Sequence, residues 1–512
     1  MDSGMRKEAK KVAIIGAGIS GIVACKHAVE KGFDPIVFEA RSCIGGVWSS
    51  TIHSTKLQTP KDYFQFSDFP WPDFVLEDFP HHKQVLEYVR SYALHFEVVP
   101  RISFGSKVTA LHYSHAAADW TSGEPFSSTG KWSVAVQDVL HPLHPPKVYE
   151  MDFVILCIGK FSDLPNIPDF SSRASFNGEV LHSMNYAAMD KMQAAKFTQN
   201  KRVTVVGFQK SAIDTAAEIA RNNGAKHPCT LVFRRVHWSG SETLVKFTFK
   251  NLTRFSQLMV HKPAEGLILC FLAFLLSPLV SWCDWAAVVE WYMGWIYPLK
   301  KYNMIPDHSF LNQIYSCMFM ILPSDFYHRV EQGSLVLRKS TVAGFYESGL
   351  LLDGGATRLD TDVVIFATGY KSDEKIAAIF SSPQLKKCIT GSSAPLYREC
   401  IHPRIPQLAI MGYSESPATL FTFEMRSKWV AHFLAGRFRL PPVAEMEENA
   451  RRWEANARRY SRQNYKRGCV GVMLQLHCND EICRDIGSNP RRKKCLLSDV
   501  FSPYRPSDYA HL

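Results

Sequence analysis

Two stretches of the chain follow one pattern, and this pattern constrains the fold more than any other feature of the sequence. In each stretch an apolar run of β-strand character leads into a glycine-containing turn and then into a helix. The first copy has a predicted strand at 12–15, the turn Gly16-Ala17-Gly18-Ile19-Ser20-Gly21 and a predicted helix at 22–31. At this spacing Gly16 makes the tight turn, Gly18 lets the backbone approach a pyrophosphate, and Gly21 lets helix and strand pack closely. The copy predicts a Rossmann-like dinucleotide-binding unit.

The residues after the next strand indicate which dinucleotide binds there. The predicted strand at 35–38 ends at Glu39, a carboxylate placed to bind ribose hydroxyls and to repel a 2′-phosphate. This favours FAD or NAD over NADP. Further on, Gly46-Val47-Trp48 is expected to bring backbone close to the pyrophosphate, or else to form a plain turn with a core tryptophan.

The second copy has a predicted strand at 202–206, the turn Gly207-Phe208-Gln209-Lys210-Ser211-Ala212 and a predicted helix at 213–221. Gln209 stands where the middle glycine normally lies. We therefore expect the phosphate contact to shift to the Ser211 hydroxyl and to amides at the helix N-terminus. The alternative is that Lys210 and Ser211 are only a solvated lysine and a helix cap.

The next strand, predicted at 230–233, ends in Arg234 and Arg235 instead of an acid. A guanidinium group can bind a 2′-phosphate through forked hydrogen bonds, which favours NADP over NAD at this second site. The alternative is an ordinary surface arginine pair.

Between the two copies lies a four-point motif formed by Phe176, Gly178, His182 and Tyr186. With this spacing the sequence resembles the flavin-containing monooxygenases, and most closely their plant branch, from about residue 10 to about residue 440. Strand-following segments with Cys157-Ile158-Gly159 and with Thr368-Gly369 resemble the two points where the chain of this family crosses between its nucleotide domains. The resemblance makes His182 structural and not a general base.

The resemblance implies an enzyme with FAD and NADPH as cofactors and no metal. NADPH would reduce the flavin, O2 would add to give a C4a-hydroperoxyflavin, and a small nucleophilic substrate would be oxygenated on nitrogen or sulfur. In many relatives an asparagine faces the flavin where Gln58 stands here. Gln58 is thus a tentative catalytic residue, or simply a polar loop residue. Plant relatives that N-hydroxylate an amino acid-like amine in defence, and others that oxygenate sulfides, leave the substrate open.

The predicted fold class is α/β, with two Rossmann-like dinucleotide-binding domains, for FAD and NADPH, the second inserted in the first. We predict the FAD-binding domain at 1–165 and 331–440 and the NADPH-binding domain at 166–330, with an apolar helical insertion at about 238–323. Residues 441–512 are predicted to form a helical extension and a tail.

The segment 266–283 carries no charged side chain and is followed by an aromatic-rich stretch. Three interpretations fit it: a membrane span, a helix lying in the membrane surface, or a buried lid over the cofactor cleft. The net charge of +11 comes from basic residues that are dispersed except at 451–467 and 491–494, which argues against nucleic acid as a partner and suits a peripheral contact with an anionic membrane. We expect a location on the cytoplasmic side, associated with the endoplasmic reticulum membrane.

The 13 cysteines show no framework, so we expect reduced thiols, with Cys478 and Cys483 as structural thiols. A pyridine-nucleotide disulfide reductase would need a redox-active cysteine pair near the flavin, and none follows Trp48. Two alternatives remain: a carbon-oxygenating relative that acts on a ketone or a 2-oxo acid, as auxin-forming enzymes do, and a non-catalytic membrane-associated adaptor.

Overall fold

A computed structural model describes residues 10–114, 123–276, 282–390 and 396–512, without the side chains of 282–285 and Val472. Within these ranges the chain is an α/β protein with two five-stranded parallel sheets. The strands are β1 Lys11–Ile15, β2 Asp34–Phe38, β3 Ile102–Ser103, β4 Ser106–Tyr113, β5 Trp132–Asp138, β6 Lys147–Met151, β7 Phe153–Leu156, β8 Glu179–His182, β9 Val203–Val206, β10 Cys229–Phe233, β11 Ser239–Gly240, β12 Met320–Ile321, β13 Leu335–Lys339, β14 Val342–Tyr346, β15 Gly349–Leu352, β16 Thr357–Asp360, β17 Val363–Phe366 and β18 Leu408–Ile410.

The α-helices of the described ranges, again in chain order, are α1 Ile19–Glu30, α2 His82–His95, α3 Ser183–Ala187, α4 Lys191–Thr198, α5 Lys210–Asn223, α6 Glu242–Lys250, α7 Arg254–Gln257, α8 Leu267–Leu276, α9 Trp282–Ile296, α10 Phe310–Ile314, α11 Phe326–Glu331, α12 Ser372–Ala378, α13 Pro383–Ile389, α14 Thr419–Leu434, α15 Val443–Ser461, α16 Gln475–Asp485 and α17 Leu496–Phe501.

The first sheet has the strand order β18-β7-β1-β2-β3, and all of its pairings are parallel. Strands β1 and β7 are apolar and almost wholly buried because α1 and α14 cover one face, and the antiparallel sheet β4-β5-β6 lies beside the other. The strand order reverses between β1 and β7. A ligand is expected at the carboxyl ends of the strands beside this reversal.

The second sheet repeats the arrangement with the order β13-β10-β9-β17-β8, also parallel throughout. Strands β9 and β17 take the central places of β1 and β7, and α5 packs on the sheet as α1 does on the first. The expectation of an α/β fold with two Rossmann-like units, one inserted in the other, is confirmed.

The predicted boundary at residue 330 is wrong. Strands β13 and β17 both pair within the second sheet, so this unit continues to about residue 367. The assignment of 331–365 to the FAD-binding domain failed because β13 pairs with a strand far away in the sequence, whereas the segment at Thr368-Gly369, which resembles the family's second crossing, lies just after the end of this unit.

The chain crosses between the units twice, and the two crossing segments lie side by side. Asn166 donates its backbone N–H to the carbonyl of Gly369 (2.9 Å), and the Thr368 hydroxyl donates to the carbonyl of Asn166. Pro165 and Tyr370 form an isolated antiparallel bridge. The predicted crossing points near Gly159 and at Thr368-Gly369 therefore lie where the units join.

The insertion at about 238–323 is closed by a short parallel pair, β11 with β12. Its helix α8 buries only Ala273 among its ten residues, and Leu267 is 91% exposed. The buried-lid interpretation is therefore wrong for α8, which has an apolar surface open to its surroundings. No helix in the ranges described above is long and apolar enough to cross a membrane, and 277–281 lie outside those ranges.

The C-terminal extension packs against both units. A disulfide joins Cys317 of the insertion to Cys469 of the extension, so the expectation that all thiols are reduced is wrong for this pair. The two cysteines are separated by 152 residues in the sequence, and only the fold brings them together. At the end of the tail, Lys428 donates to the carbonyl of the buried Tyr509 (2.7 Å) and so fixes the tail to α14.

Candidate functional site

The first glycine turn has the geometry that a dinucleotide needs. Gly16 has a φ of +104°, and a Cβ there would lie 2.6 Å from the carbonyl oxygen of Cys157 on the neighbouring crossing segment. A Cβ on Gly21 would lie 1.8 Å from the Gly16 carbonyl oxygen, so α1 can sit on this turn only with glycine at that position. Gly18 directly precedes α1 and gives it no side-chain cap. Together these residues leave an open, backbone-lined surface at the start of the helix.

The amides at the start of α1 complete this surface. The N–H groups of Ile19, Ser20 and Gly21 have no acceptor within the described residues. The side chain of Ser20 is buried against Gly412, which lies just after β18, and Ala17 and Ile19 are buried in the core. Free helix N-terminal amides form an anion site, here aimed at the carboxyl edge of the first sheet.

Glu39 lies beside the turn, as its position after β2 predicts. Its carboxylate accepts the N–H of Ala17 (2.6 Å) and that of Arg41 (2.9 Å), which fixes both of its oxygens at the turn. Each oxygen keeps a second lone pair with which to accept a ribose hydroxyl. The buried negative charge disfavours a 2′-phosphate at this site.

The loop Gly46-Val47-Trp48 closes the same surface from the opposite side. A Cβ on Gly46 would lie 3.1 Å from the Cα of Gly18, so two glycine backbones face each other here. Trp48 makes an edge contact with the ring of Phe64, whereas Val47 is exposed. The loop therefore has both predicted features: its glycine backbone lies close to the first turn, and its tryptophan packs against Phe64.

The second turn has the same close backbone approach at its first glycine. A Cβ on Gly207 would lie 2.5 Å from the carbonyl of Ala367, as Gly16 lies against Cys157. Gln209 occupies the N-cap position of α5 with extended backbone (φ −109°, ψ −178°), a conformation open to any residue. The middle glycine can therefore be replaced here at the cost of a bulkier surface in front of the helix.

The first turn of α5 presents the groups that we expected to bind phosphate. Ser211 is exposed and its hydroxyl has no hydrogen-bond partner within the described residues, while Phe208 and Ala212 are buried in the core. Lys210 is not a solvated lysine, because it forms an ion pair with the buried Asp214 (2.8 Å) and donates to the carbonyl of Ile321 (3.3 Å). Its role is structural in this arrangement.

Arg234 and Arg235 directly follow β10 and are exposed. Neither forms an ion pair among the residues that the structure describes, although Arg235 lies near enough to the carboxylate of Asp307 to interact with its charge. Two unpaired guanidinium groups at the end of the second strand of the unit occupy the place that Glu39 occupies in the first unit. The two sites thus differ in charge where a 2′-phosphate would lie.

The two units meet along α5. The Thr55 hydroxyl of the first unit donates to Asp214 (2.7 Å), and the Ser54 N–H donates to Glu218 one helical turn further on (3.0 Å). Gln58 accepts the N–H of Ile321 (2.9 Å) through its side-chain oxygen. Sequence reasoning missed Asp214 and Glu218; their signal was two acids at i and i+4 on the buried side of a helix.

Gln58 therefore lies where the first unit meets the insertion. Its side-chain oxygen is occupied by Ile321, and its NH2 group has no partner within the described part of the chain. A donor remains for a ligand, which leaves the tentative catalytic role of Gln58 a prediction.

The four motif residues serve the scaffold in this structure. Phe176 is buried among the aromatic residues beneath the sheet β14-β15-β16, and Gly178 leaves room for its ring. His182 is fully buried and caps α3 by accepting the N–H of Met184 (3.2 Å), and burial lowers its pKa. Tyr186 donates to Glu218 (3.2 Å), which links the motif to the interface along α5.

A third group that sequence reasoning missed lies at the carboxyl edge of the first sheet. Glu415, shortly after β18, forms ion pairs with Lys160 of the first crossing segment (2.7 Å) and with Lys466 of the extension (2.8 Å). Burial alone would raise the pKa of Glu415, but the two lysines hold it below its ordinary value. This network fixes the extension at the edge where a flavin ring is expected.

The residues of the two units fit two dinucleotides. Each unit has a glycine turn that a Cβ would obstruct, an uncapped helix with free amides, and a discriminating side chain after its second strand. Glu39 suits the adenosine ribose of FAD, and the arginine pair suits NADPH. In the described ranges, the only His, Cys and acidic side chains grouped closely enough for a metal are His261, Glu265 and Cys270, far along the chain from both turns.

Comparison with known proteins agrees with this geometry. The family model FMO-like, flavin-binding monooxygenase-like, matches residues 9–502. The probable flavin-containing monooxygenase 1 of Arabidopsis thaliana is 37% identical over 98% of this chain and 96% of its own length. Dimethylaniline monooxygenase (N-oxide-forming) 2 of Rattus norvegicus is 27% identical over 96% of this chain and 85% of its own length.

Among solved structures, OTEMO in complex with FAD and NADP has a TM-score of 0.64 at 16% identity, covering 94% of this chain and 99% of that chain. This likeness concerns the fold, whereas the family match and the Arabidopsis relative concern the sequence over nearly its whole length. The chain therefore belongs to the flavin-binding monooxygenase-like family, and it is a flavin-containing monooxygenase.

Proposed function

We propose that the protein uses NADPH and O2 to oxygenate a small nucleophilic substrate on nitrogen or sulfur. The observation that carries this proposal is the pair of free helix N-termini on two units joined along α5, one beside Glu39 and the other beside Arg234 and Arg235. Bound FAD would supply the hydride acceptor and the oxygen-activating ring. The protein itself binds the two coenzymes, orients the nicotinamide toward the flavin and keeps water out of the site.

The protein residues have three tasks in this proposal. The amides of the two turns bind pyrophosphate, and the arginine pair selects the phosphorylated coenzyme. Asp214 and Thr55 hold the second unit against the first, so that the nicotinamide is oriented toward the flavin. The network of Glu415 with Lys160 and Lys466 holds the extension over the edge of the first sheet, where it limits entry of water.

The name of the rat relative supports N-oxygenation, since that protein is described as N-oxide-forming. A carbon-oxygenating enzyme acting on a ketone or 2-oxo acid would bind the same cofactors. The reaction product distinguishes the two kinds of enzyme. N- or S-oxygenation adds one oxygen atom to an intact substrate, whereas a carbon-oxygenating enzyme inserts oxygen beside a carbonyl or releases CO2. A non-catalytic adaptor would consume no NADPH.

To test the proposal, the purified flavin-loaded protein is reduced anaerobically with NADPH or NADH and then exposed to O2 with amines, sulfides and 2-oxo acids. We expect faster reduction by NADPH, and substrate-dependent NADPH consumption matched by oxygenated product. Arg234→Ala with Arg235→Ala should weaken NADPH binding about tenfold or more and leave NADH binding unchanged. Arg338→Ala, in an exposed arginine on neighbouring β13, serves as the control. Equal use of both coenzymes by the unaltered protein and by the double variant would refute the coenzyme assignment.

We further propose that α8 and α9 rest on an anionic membrane surface, at the cytoplasmic side of the endoplasmic reticulum. Exposed apolar residues on both helices support this contact, among them Phe271, Trp291 and Trp295, and the exposed Lys300 follows α9. Such a surface exceeds the scattered apolar residues normal for a soluble protein.

Co-sedimentation with vesicles tests the membrane contact. The protein should bind phosphatidylcholine vesicles that contain phosphatidylserine, and Phe271→Glu with Trp291→Glu should abolish binding. Leu143→Glu, at an exposed apolar residue between β5 and β6, should leave it unchanged. Equal binding by both variants would exclude α8 and α9 as the contact.

A further inference from the structure

The disulfide between Cys317 and Cys469 lies where the insertion, the C-terminal extension and the first unit meet. Cys317 belongs to the insertion and shortly precedes Ile321, which donates its N–H to the side chain of Gln58 (2.9 Å). The Sγ atom of Cys317 lies 3.7 Å from the carbonyl oxygen of Glu415. Cys469 belongs to the extension and forms an isolated parallel bridge with the same Glu415.

Through the residues around Cys469 the extension reaches the edge of the first sheet where a flavin is expected. The Glu415 N–H donates to the carbonyl of Gly468 (2.6 Å), and the Val470 N–H donates to the carbonyl of Glu415 (2.8 Å). The Glu415 carboxylate pairs in turn with Lys160 of the first crossing segment (2.7 Å). The disulfide therefore joins the insertion, which holds Gln58, to the backbone that covers this edge.

The noncovalent contacts beside the disulfide are neutral. The side chain of Asn464 donates to that of Asn312 (2.7 Å), and Tyr315 stacks on Tyr460 of α15 with 4.4 Å between the ring centroids. Cys317 has a φ of +51°, a left-handed conformation that non-glycine residues seldom adopt without support from their surroundings. We expect the insertion and the extension to stay folded without the disulfide but to open more readily at this point.

The disulfide is accessible to a reductant. Both cysteines are only half-buried, and Cys469 lines a cavity of about 400 Å³ between α15 and the segment 465–471, which is large enough for a small thiol. Lys466 and Arg467 line the same cavity, and neighbouring cations stabilise a thiolate. At a cytoplasmic location a disulfide is usually transient, catalytic or redox-sensing.

We propose that Cys317 and Cys469 form a thiol–disulfide exchange site, at which a dithiol reductant releases the C-terminal extension from the insertion. The inference rests on the proposed function and on the proposed cytoplasmic location. One thiolate of the reductant attacks the Sγ atom of Cys469, and Cys317 leaves as a thiolate that takes up a proton. The second thiol of the reductant then displaces Cys469, so that the reductant becomes a disulfide and the protein gains two thiols.

The redox state of this site should change how the enzyme uses NADPH. With the disulfide intact, the extension is fixed over the edge of the first sheet and limits entry of water. After reduction this cover opens more often. A larger share of the NADPH consumed should then reduce O2 to hydrogen peroxide, and a smaller share should give oxygenated product.

To test the site, the full-length, flavin-loaded protein is oxidised with glutathione disulfide or reduced with dithiothreitol. Alkylation followed by peptide mapping should find Cys317 and Cys469 protected in the oxidised protein and labelled in the reduced protein. Amide hydrogen exchange over 313–321 and 464–471 should become about tenfold or more faster on reduction. The amount of hydrogen peroxide formed per NADPH should rise in the same samples.

Cys317→Ser with Cys469→Ser should behave like the reduced protein under both conditions. Cys495→Ser, which removes an exposed cysteine just before α17, should respond to dithiothreitol like the unaltered protein. If the double variant does not fold, the two redox states of the unaltered protein decide the question.

The proposal is overturned if Cys317 and Cys469 do not pair in glutathione disulfide, or if their pairing changes neither amide exchange nor peroxide formation. A protein that forms no oxygenated product in either redox state contradicts the proposed function instead. In that case amide exchange over the two segments still decides whether the site exists.

Discussion

Replacing Asp214 by asparagine should weaken the contact between the two units while keeping the shape of the side chain. Asp214 is only 2% exposed, and its carboxylate receives both the ammonium group of Lys210 (2.8 Å) and the hydroxyl of Thr55 (2.7 Å). Asparagine still accepts one hydrogen bond but offers no charge. The change therefore affects the link between the units without creating a cavity.

The magnitude follows from these contacts. Breaking a fully buried ion pair costs about 3–5 kcal/mol, chiefly because the remaining charge is left without compensation. The side chain of Lys210 is 23% exposed, so water can solvate its released ammonium group. The cost should then approach that of a charge-assisted hydrogen bond, about 2 kcal/mol in the free energy of unfolding.

The functional readout is the rate of anaerobic flavin reduction by NADPH in a stopped-flow experiment. If the link orients the nicotinamide, a misalignment costing about 1.4 kcal/mol in the transition state slows hydride transfer about tenfold. The control is Asp325→Asn, whose partner Arg221 also lies on α5 but in an exposed ion pair. That variant should reduce at the normal rate.

A double-mutant cycle with Thr55→Val separates an effect at the interface from one on α5 alone. Thr55 belongs to the first unit, so a coupling between the two substitutions reports contact across the interface. The reasoning fails if Asp214→Asn leaves both the denaturant midpoint and the reduction rate unchanged, or if the two substitutions are strictly additive.

Three further outcomes are expected. Gly21→Ala should destabilise the first unit by about 3 kcal/mol and yield protein without flavin absorbance, because the added Cβ would lie 1.8 Å from a carbonyl oxygen; a variant with full flavin content contradicts this. Cys317→Ser with Cys469→Ser should lower the free energy of unfolding by up to about 5 kcal/mol without reductant, as expected for closing a loop of 152 residues, and reductant should then have no further effect. The pKa of Glu415 is lowered on folding, so its ionised carboxylate stabilises the protein above the unfolded-state pKa, and this stabilisation is lost as the pH falls through the folded-state pKa. Glu415→Gln should therefore lower the free energy of unfolding by about 3 kcal/mol at neutral pH and make that free energy less dependent on pH in the acid range.

The parts of the fold that local patterns determine could be predicted from the sequence. The strand predicted at 12–15 is observed as β1, and the helix predicted at 22–31 begins three residues earlier, at Ile19. The second copy behaves in the same way, with α5 starting at Lys210. Helix starts were placed too late because the glycine turn itself supplies the first helical residues.

Features set by distant partners could not be predicted. The predicted domain boundary at residue 330 was wrong because β13 and β17 pair with strands far away in the sequence, although the family resemblance placed the second crossing at Thr368-Gly369. The disulfide, and the ion pairs of Glu415 with Lys160 and Lys466, each join different parts of the fold. Arg234 and Arg235 could be predicted as coenzyme-binding residues because that prediction depends only on their position after a strand, which is a local property.

Because the two crossing segments lie side by side at Asn166 and Gly369, the second unit begins and ends at neighbouring points in space. Such a module can be exchanged between homologues by two cuts at neighbouring points, without moving either end of the host. A chimaera that carries the corresponding piece of a relative would therefore inherit that relative's pyridine-nucleotide preference while keeping its own flavin.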